Sequence, residues 1–207
     1  MESFSSLANK RSKRSRIFNS DLMEYFTLVN WYTPFIVWIP LITFLFLRSY
    51  QQDHLGMRTY FFILFVGILL WSLAEYFIHR YLFHFKCKSK FGQQMVYTIH
   101  GNHHDDPMDP LRGVMPILPA GIYIIFLYFI FSFLTPHRYL DVLFGSFLIG
   151  YLLYDGIHYY THHGNPQSKI GKYLRKAHLI HHVHPDVMFG ISSPFWDIIF
   201  GTFKRRN

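Results

Sequence analysis

Ten histidines in four clusters are the residues of this chain with the most legible chemistry. His79 and His84 stand in the string His79-Arg80-Tyr81-Leu82-Phe83-His84, and His100, His103 and His104 form an H-x-x-H-H. His158 and His162 come third, and His178, His181 and His182 repeat the H-x-x-H-H spacing. On a helix, positions i, i+3 and i+4 share a face, so each H-x-x-H-H can aim three imidazoles at one point, and His158 with His162 can aim two. That spacing suits metal ligation. Ten ligands exceed what one tetrahedral zinc ion uses, and two metal ions with several imidazoles each is the simplest fit. His54 and His137 are isolated and read as surface or hydrogen-bonded residues, while His163 and His184 read as outer partners or surface residues outside the ligand set.

Imidazole suits zinc, copper, iron and nickel alike, so the donor set leaves the metal open. The surrounding chemistry narrows it. No H-E-x-x-H is present to supply a hydrolytic base, which weighs against a membrane zinc hydrolase. A metal pair facing a membrane without such a base points to oxidation of an unactivated C–H bond, beyond the reach of redox-silent zinc. Iron is therefore expected in the active enzyme, with zinc as a substitute in purified protein. No carboxylate falls within the clusters to bridge the ions, so their separation is expected to exceed the roughly 3.5–4 Å of hydrolytic two-metal sites. Glu75, one turn before His79, and Asp155, three residues before His158, are expected as outer acceptors for imidazole N–H groups; the competing reading is a buried partner for Arg80 or for backbone. Tyr151 and Tyr154 read more readily as packing or interface-belt residues than as catalysts.

The clusters must be held by elements that the hydropathy pattern defines. Four apolar stretches stand out, residues 31–47, 60–78, 114–134 and 142–154, in a chain that is 51% apolar, 20% aromatic and only 15% charged. A spanning helix needs about 20 apolar residues, so the second and third qualify, the first is slightly short, and the fourth spans only if its helix begins near Tyr139. Lysine and arginine favour the cytoplasmic side of membrane helices. With four spans and both termini cytoplasmic, only Arg48, Arg58 and Arg138 fall on the far side, and every histidine except His54 and His137 is cytoplasmic. The expected fold is an all-α integral membrane protein: about four transmembrane helices in two hairpins under a cytoplasmic, helical, histidine-rich dimetal cap.

Within the 207 residues we expect a basic N-terminal tail (1–20), a single membrane domain (21–203) and a short basic C-terminal tail (204–207). The polar start with Lys10, Arg11, Lys13, Arg14 and Arg16 is not followed by an apolar signal core, so no cleaved secretory peptide is expected. The net charge of +8 fits orientation and anionic headgroups better than nucleic acid, whose recognition motifs are missing. Cys87 is the one cysteine, which excludes an internal disulfide and a cysteine-based zinc cluster. Transport sites lie near the bilayer midplane, whereas these histidines follow the spans, so a metal transporter ranks last.

From about Ser20 to Phe203 the sequence resembles the fatty-acid 2-hydroxylase branch of the membrane fatty-acid hydroxylase and sterol desaturase superfamily. The strings that carry the likeness run from Glu75 to His84, Pro107 to Asp109, Tyr154 to His163, and Phe189-Gly190-Ile191-Ser192 leading to Trp196-Asp197. Four residues between His79 and His84 match this branch, where sterol oxidases have three, which favours an acyl chain over a sterol. A related sterol or lipid hydroxylase or desaturase is the alternative. The resemblance implies O2-dependent hydroxylation at the carbon next to an acyl carbonyl, on a free fatty acid or a sphingolipid N-acyl chain. It also implies that the ten clustered histidines are the ligands of the metals and that Tyr151, Tyr154 and Asp155 line the substrate side. Electrons are expected from a separate donor such as a b-type cytochrome with its reductase, because the chain has no room for a fused one. The expected location is the endoplasmic reticulum membrane in a eukaryote or the inner membrane in a bacterium.

Overall fold

The computed structural model describes residues 16–204. Lys10 to Arg14 of the expected N-terminal tail, and Arg205 and Arg206 of the C-terminal one, lie outside the described residues. Among those described, every regular element is helical. In chain order they are α1 (Asp21–Tyr25), α2 (Thr33–Gln52), α3 (Met57–Phe77) continued by a π-helical segment (Ile78–Phe83), α4 (Lys90–Val96) continued by a second π segment (Tyr97–Gly101), α5 (Asn102–Asp105), α6 (Ile117–Leu134), α7 (His137–His163), α8 (Lys169–Val183) and α9 (Phe195–Ile199).

Four of these, α2, α3 with its π extension, α6 and α7, are long and apolar enough to cross a membrane. Pro34 sits in the first turn of α2, where a missing N–H costs nothing, and Pro40 is accommodated inside it. The fourth apolar run proves longer than its hydropathy suggests, because α7 begins at His137 and continues without a break through His162. Its mixed composition has a packing cause. In α7, 72% of the apolar window is buried by protein, against 11% in α6, so α7 is the central helix and α6 the one most open to lipid.

Residues Ile63, Gly67, Trp71 and Glu75 recur every fourth position on α3 and form its buried face. Small residues let the α3 and α7 backbones approach: a Cβ on Gly67 would lie 2.5 Å from Ser146 Cβ, and one on Gly150 2.5 Å from Trp71 Cβ. Trp71 packs against Phe147, Tyr151 and Tyr154 of α7. Gly150→Val should therefore overpack this seam and cost about 1–3 kcal/mol. The fall should register as a lower unfolding temperature in detergent, whereas Gly121→Ala, whose Cβ would meet nothing nearer than Trp38 at 3.8 Å, should be tolerated. At the end away from the histidines, Arg48 closes α2 onto α7 and α6 through Asp141 and the Tyr128 hydroxyl.

Candidate metal centre

The ligand-bearing turns are not plain α-helix. Residues five apart lie about 140° away from each other on an α-helix, which turns about 100° per residue, so His79 and His84 could not share a face there. The π segment, with its i to i+5 repeat, restores that face. His100 lies in the last turn of the second π segment, His103 and His104 lie on α5, His158 and His162 on α7, and His178, His181 and His182 on α8.

These ten imidazoles gather into two groups, each able to hold a metal ion: His79, His84, His100, His104 and His181 in one, His103, His158, His162, His178 and His182 in the other. Within a group, the facing nitrogens all lie within 4.8 Å of one another. The expectation that each H-x-x-H-H aims three rings at one point is corrected by the structure. His100 and His104 face one group and His103 the other, while His178 and His182 face the second and His181 the first. Helix geometry explains the split, since i and i+4 are about 40° apart while i+3 is swung roughly 60° to the other side of i. Each triad thus lends one ring across, and the two groups interlock.

Neighbouring Nε2 atoms stand 3.1 Å apart for His79 and His100, 3.0 Å for His84 and His181, 2.9 Å for His158 and His103, and 3.0 Å for His178 and His182. Two nitrogens bound at right angles to one ion at about 2.0–2.1 Å would be about 3 Å apart. The Nδ1 atoms of His79 and His181 lie 2.6 Å and 2.8 Å from the Phe189 and Val187 carbonyls, so these nitrogens carry the proton and donate it, and each Nε2 turns a lone pair into the group. Lone pairs facing each other at this distance repel without a cation among them. The residues fit a metal.

Electrostatics agree. Burial first, and then neighbouring imidazoles, holds His100, His103 and His178 well below the ordinary histidine value. Burial also pushes His104 down to about 4 and His181 to about 3. At neutral pH these rings are uncharged, the form that ligates.

Beside the histidines opens a pocket, partly open at its mouth, with about 810 Å³ of empty space that includes the opening. His100, His103 and His158 line one end, and Leu127, Phe147 and Leu148 are in its apolar lining. Along α7 the lining residues His158, Asp155, Tyr151 and Phe147 succeed one another at about one turn each, so the cavity follows that helix for about 16 Å. Tyr151 and Tyr154 are both buried against it, and Tyr154 stacks on His158 with ring centroids 5.9 Å apart. Asp155, 1% exposed, faces the Tyr151 hydroxyl and the Met115 backbone, yet neither its oxygens nor that hydroxyl reach hydrogen-bond geometry.

Glu75 is buried as expected, but its carboxylate meets no imidazole. One oxygen accepts from Ile191 N (2.6 Å) and Ser192 N (2.8 Å), and the other from the Ser192 hydroxyl. It holds the loop whose Phe189 carbonyl orients His79. Asp197, fully buried, holds the same loop through Phe189 N and Gly190 N, both at 2.8 Å. The residues alone assign Asp197 no role; its signals are its place in the Trp196-Asp197 string of the family likeness and its position as an acid inside the apolar string Phe195 to Phe200. Also unforeseen is the tie between Glu24 and Arg112, reinforced by Glu24 accepting from Ile17 N and Phe18 N, which straps the N-terminal segment over the loop that lines the cavity. Among the described residues, His163 and His184 belong to neither group: His163 stacks on Tyr159, and His184 is exposed beyond α8.

A family model described as fatty acid hydroxylase matches residues 64–202. The dihydroceramide fatty acyl 2-hydroxylase FAH1 of Arabidopsis thaliana is 38% identical over 193 residues, covering 93% of this chain and 81% of its own length. The fatty acid 2-hydroxylase of Rattus norvegicus is 38% identical over 208 residues, but the match covers 90% of this chain and only 56% of that protein. A solved structure of full-length scs7p, in which only the hydroxylase domain is visible, superposes with a TM-score of 0.84 at 31% identity, covering 89% of this chain and 70% of that one.

Proposed function

Because the chain belongs to the fatty acid hydroxylase family, we propose that it is a membrane-bound dimetal oxidoreductase that hydroxylates the C-2 carbon of fatty acids or sphingolipid N-acyl chains. The observation that carries this is the joining of the two histidine groups to one elongated cavity whose far end is apolar. An acyl chain laid along α7, tail toward Leu127, Phe147 and Leu148, brings the carbons next to its carbonyl beside His158. Enclosure supplies positioning and excludes water. Tyr151, Tyr154 and Asp155 line the substrate side of this path, between its apolar end and His158.

The ten histidines would hold two iron ions, with zinc as a substitute in purified protein. When bound, iron supplies the redox chemistry that lets O2 oxidise a C–H bond. The electrons come, in this reading, from a donor outside residues 16–204, a b-type cytochrome with its reductase. Residues 21–203 form one hydroxylase domain, flanked by basic tails. The excess of lysine and arginine on the histidine side supports a cytoplasmic site, in the endoplasmic reticulum or a bacterial inner membrane.

Expression in a host lacking 2-hydroxy lipids should yield lipids heavier by one oxygen, placed at the alpha carbon by fragmentation in the mass spectrometer. Purified protein should carry two metal ions per chain. An unchanged lipid profile in cells that supply iron and the donor would sink the assignment.

A further inference from the structure

The segment that follows α8 leaves the histidine side, carries α9, and returns. It starts on exposed His184, Pro185 and Asp186 and ends at exposed Lys204. Between them, Phe195, Ile198, Ile199 and Phe200 are 51%, 61%, 54% and 41% exposed, although Asp197 in their midst is fully buried. A soluble surface rarely shows such a run of large apolar side chains.

Its depth can be read from one hydrogen bond. Trp196 Nε1 donates to the Ser72 hydroxyl of α3 at 3.0 Å. Arg58 and Arg80 bracket the apolar stretch of α3, and the helix between them rises about 33 Å, close to the roughly 30 Å hydrocarbon layer. Ser72 lies about 12 Å inside the Arg80 end on that scale. Phe200 stacks on Tyr76 (5.1 Å) and packs on Phe77 (5.4 Å), and Phe77 is itself 40% exposed, so the apolar surface of α9 continues that of α3.

We infer that residues Phe195 to Phe200 form a re-entrant segment that inserts into the acyl-chain layer of the leaflet nearest the histidines, with lipid chains as the partner of its exposed face. Non-helical backbone is tolerated at that depth only when protein satisfies it. Here Asp197 takes Phe189 N, Gly190 N and the Thr202 hydroxyl, and Glu75 takes Ile191 N and Ser192 N. Insertion by about 5–10 Å is the ordinary depth of an interfacial apolar segment. The inserted segment is continuous with the loop whose Phe189 and Val187 carbonyls orient His79 and His181, so lipid contact and histidine geometry share one piece of chain. The inference rests on the reading of α3 as a membrane span and is independent of the hydroxylase assignment.

The test places nitroxide labels on Phe195→Cys and Ile198→Cys in a Cys87→Ser chain, reconstituted in phosphatidylcholine vesicles. Phe65→Cys on the exposed face of α3 and Lys176→Cys on α8 serve as references. Both α9 labels should relax with O2 as the Phe65 label does, and should collide severalfold less with a water-soluble nickel chelate than the Lys176 label. Nickel collision equal to that at Lys176, with Phe65 still protected, would overturn the inference alone; exposure of Phe65 as well would overturn the membrane reading with it. Shielding of the α9 labels from both O2 and nickel would mean that a second protein surface covers them, which also overturns it.

Discussion

Replacement of His181 by alanine is expected to abolish product formation and to halve the metal content, while the chain still inserts in the membrane. His181 is fully buried, its Nε2 stands 3.0 Å from that of His84, and its Nδ1 is committed to the Val187 carbonyl. Losing an outer partner of a metal ligand costs about 10–100-fold in affinity or activity, and losing the ligand itself should cost more. The second group loses none of its own rings, because His178 and His182 on the same helix face the other way. Metal analysis should therefore give about one ion per chain in place of two, with lipid mass spectrometry showing no 2-hydroxy product. His184→Ala, on an exposed residue outside both groups, should match the parent chain. Unchanged turnover in His181→Ala would reject the proposed site.

That prediction depends on a partition that spacing alone did not reveal. The apolar runs announce α2, α3 and α6 because lipid-facing helices must be apolar over most of their surface, and the ten histidines stand out because they cluster at helical spacings after the apolar runs. The assignment of rings to groups depends on finer geometry. A five-residue step between His79 and His84 makes no sense on an α-helix, and it is the π turn that gives it meaning. The fourth span was faint in hydropathy because α7 is buried by protein, so Asp141, Ser146 and Asp155 can sit in it where a lipid-facing helix would exclude them. Arg48 with Asp141, and Glu24 with Arg112, join residues about ninety positions apart, and no local pattern reports a pairing set by tertiary contact.

Glu75 shows how such tertiary contacts reach the chemistry, and the second large effect is expected there. Glu75→Ala would leave buried Ile191 N and part-buried Ser192 N without acceptors. Each abandoned buried donor costs about 1–3 kcal/mol, so a loss of several kcal/mol is expected, and a fall in unfolding temperature should report it. The damage should be local to one metal group. The loop that Glu75 holds supplies the carbonyls for His79 and His181, both in the first group, whereas among the described residues its backbone hydrogen-bonds no ring of the second. Metal content should fall toward one ion per chain, and product formation with it. Glu75→Gln keeps an acceptor oxygen for both N–H groups and should recover most of the metal and the stability. Were the glutamine variant as damaged as the alanine one, the charge of Glu75 rather than its grip on the loop would be what the site requires, and the coupling from α3 through residues 187–192 to the first histidine group would have to be abandoned.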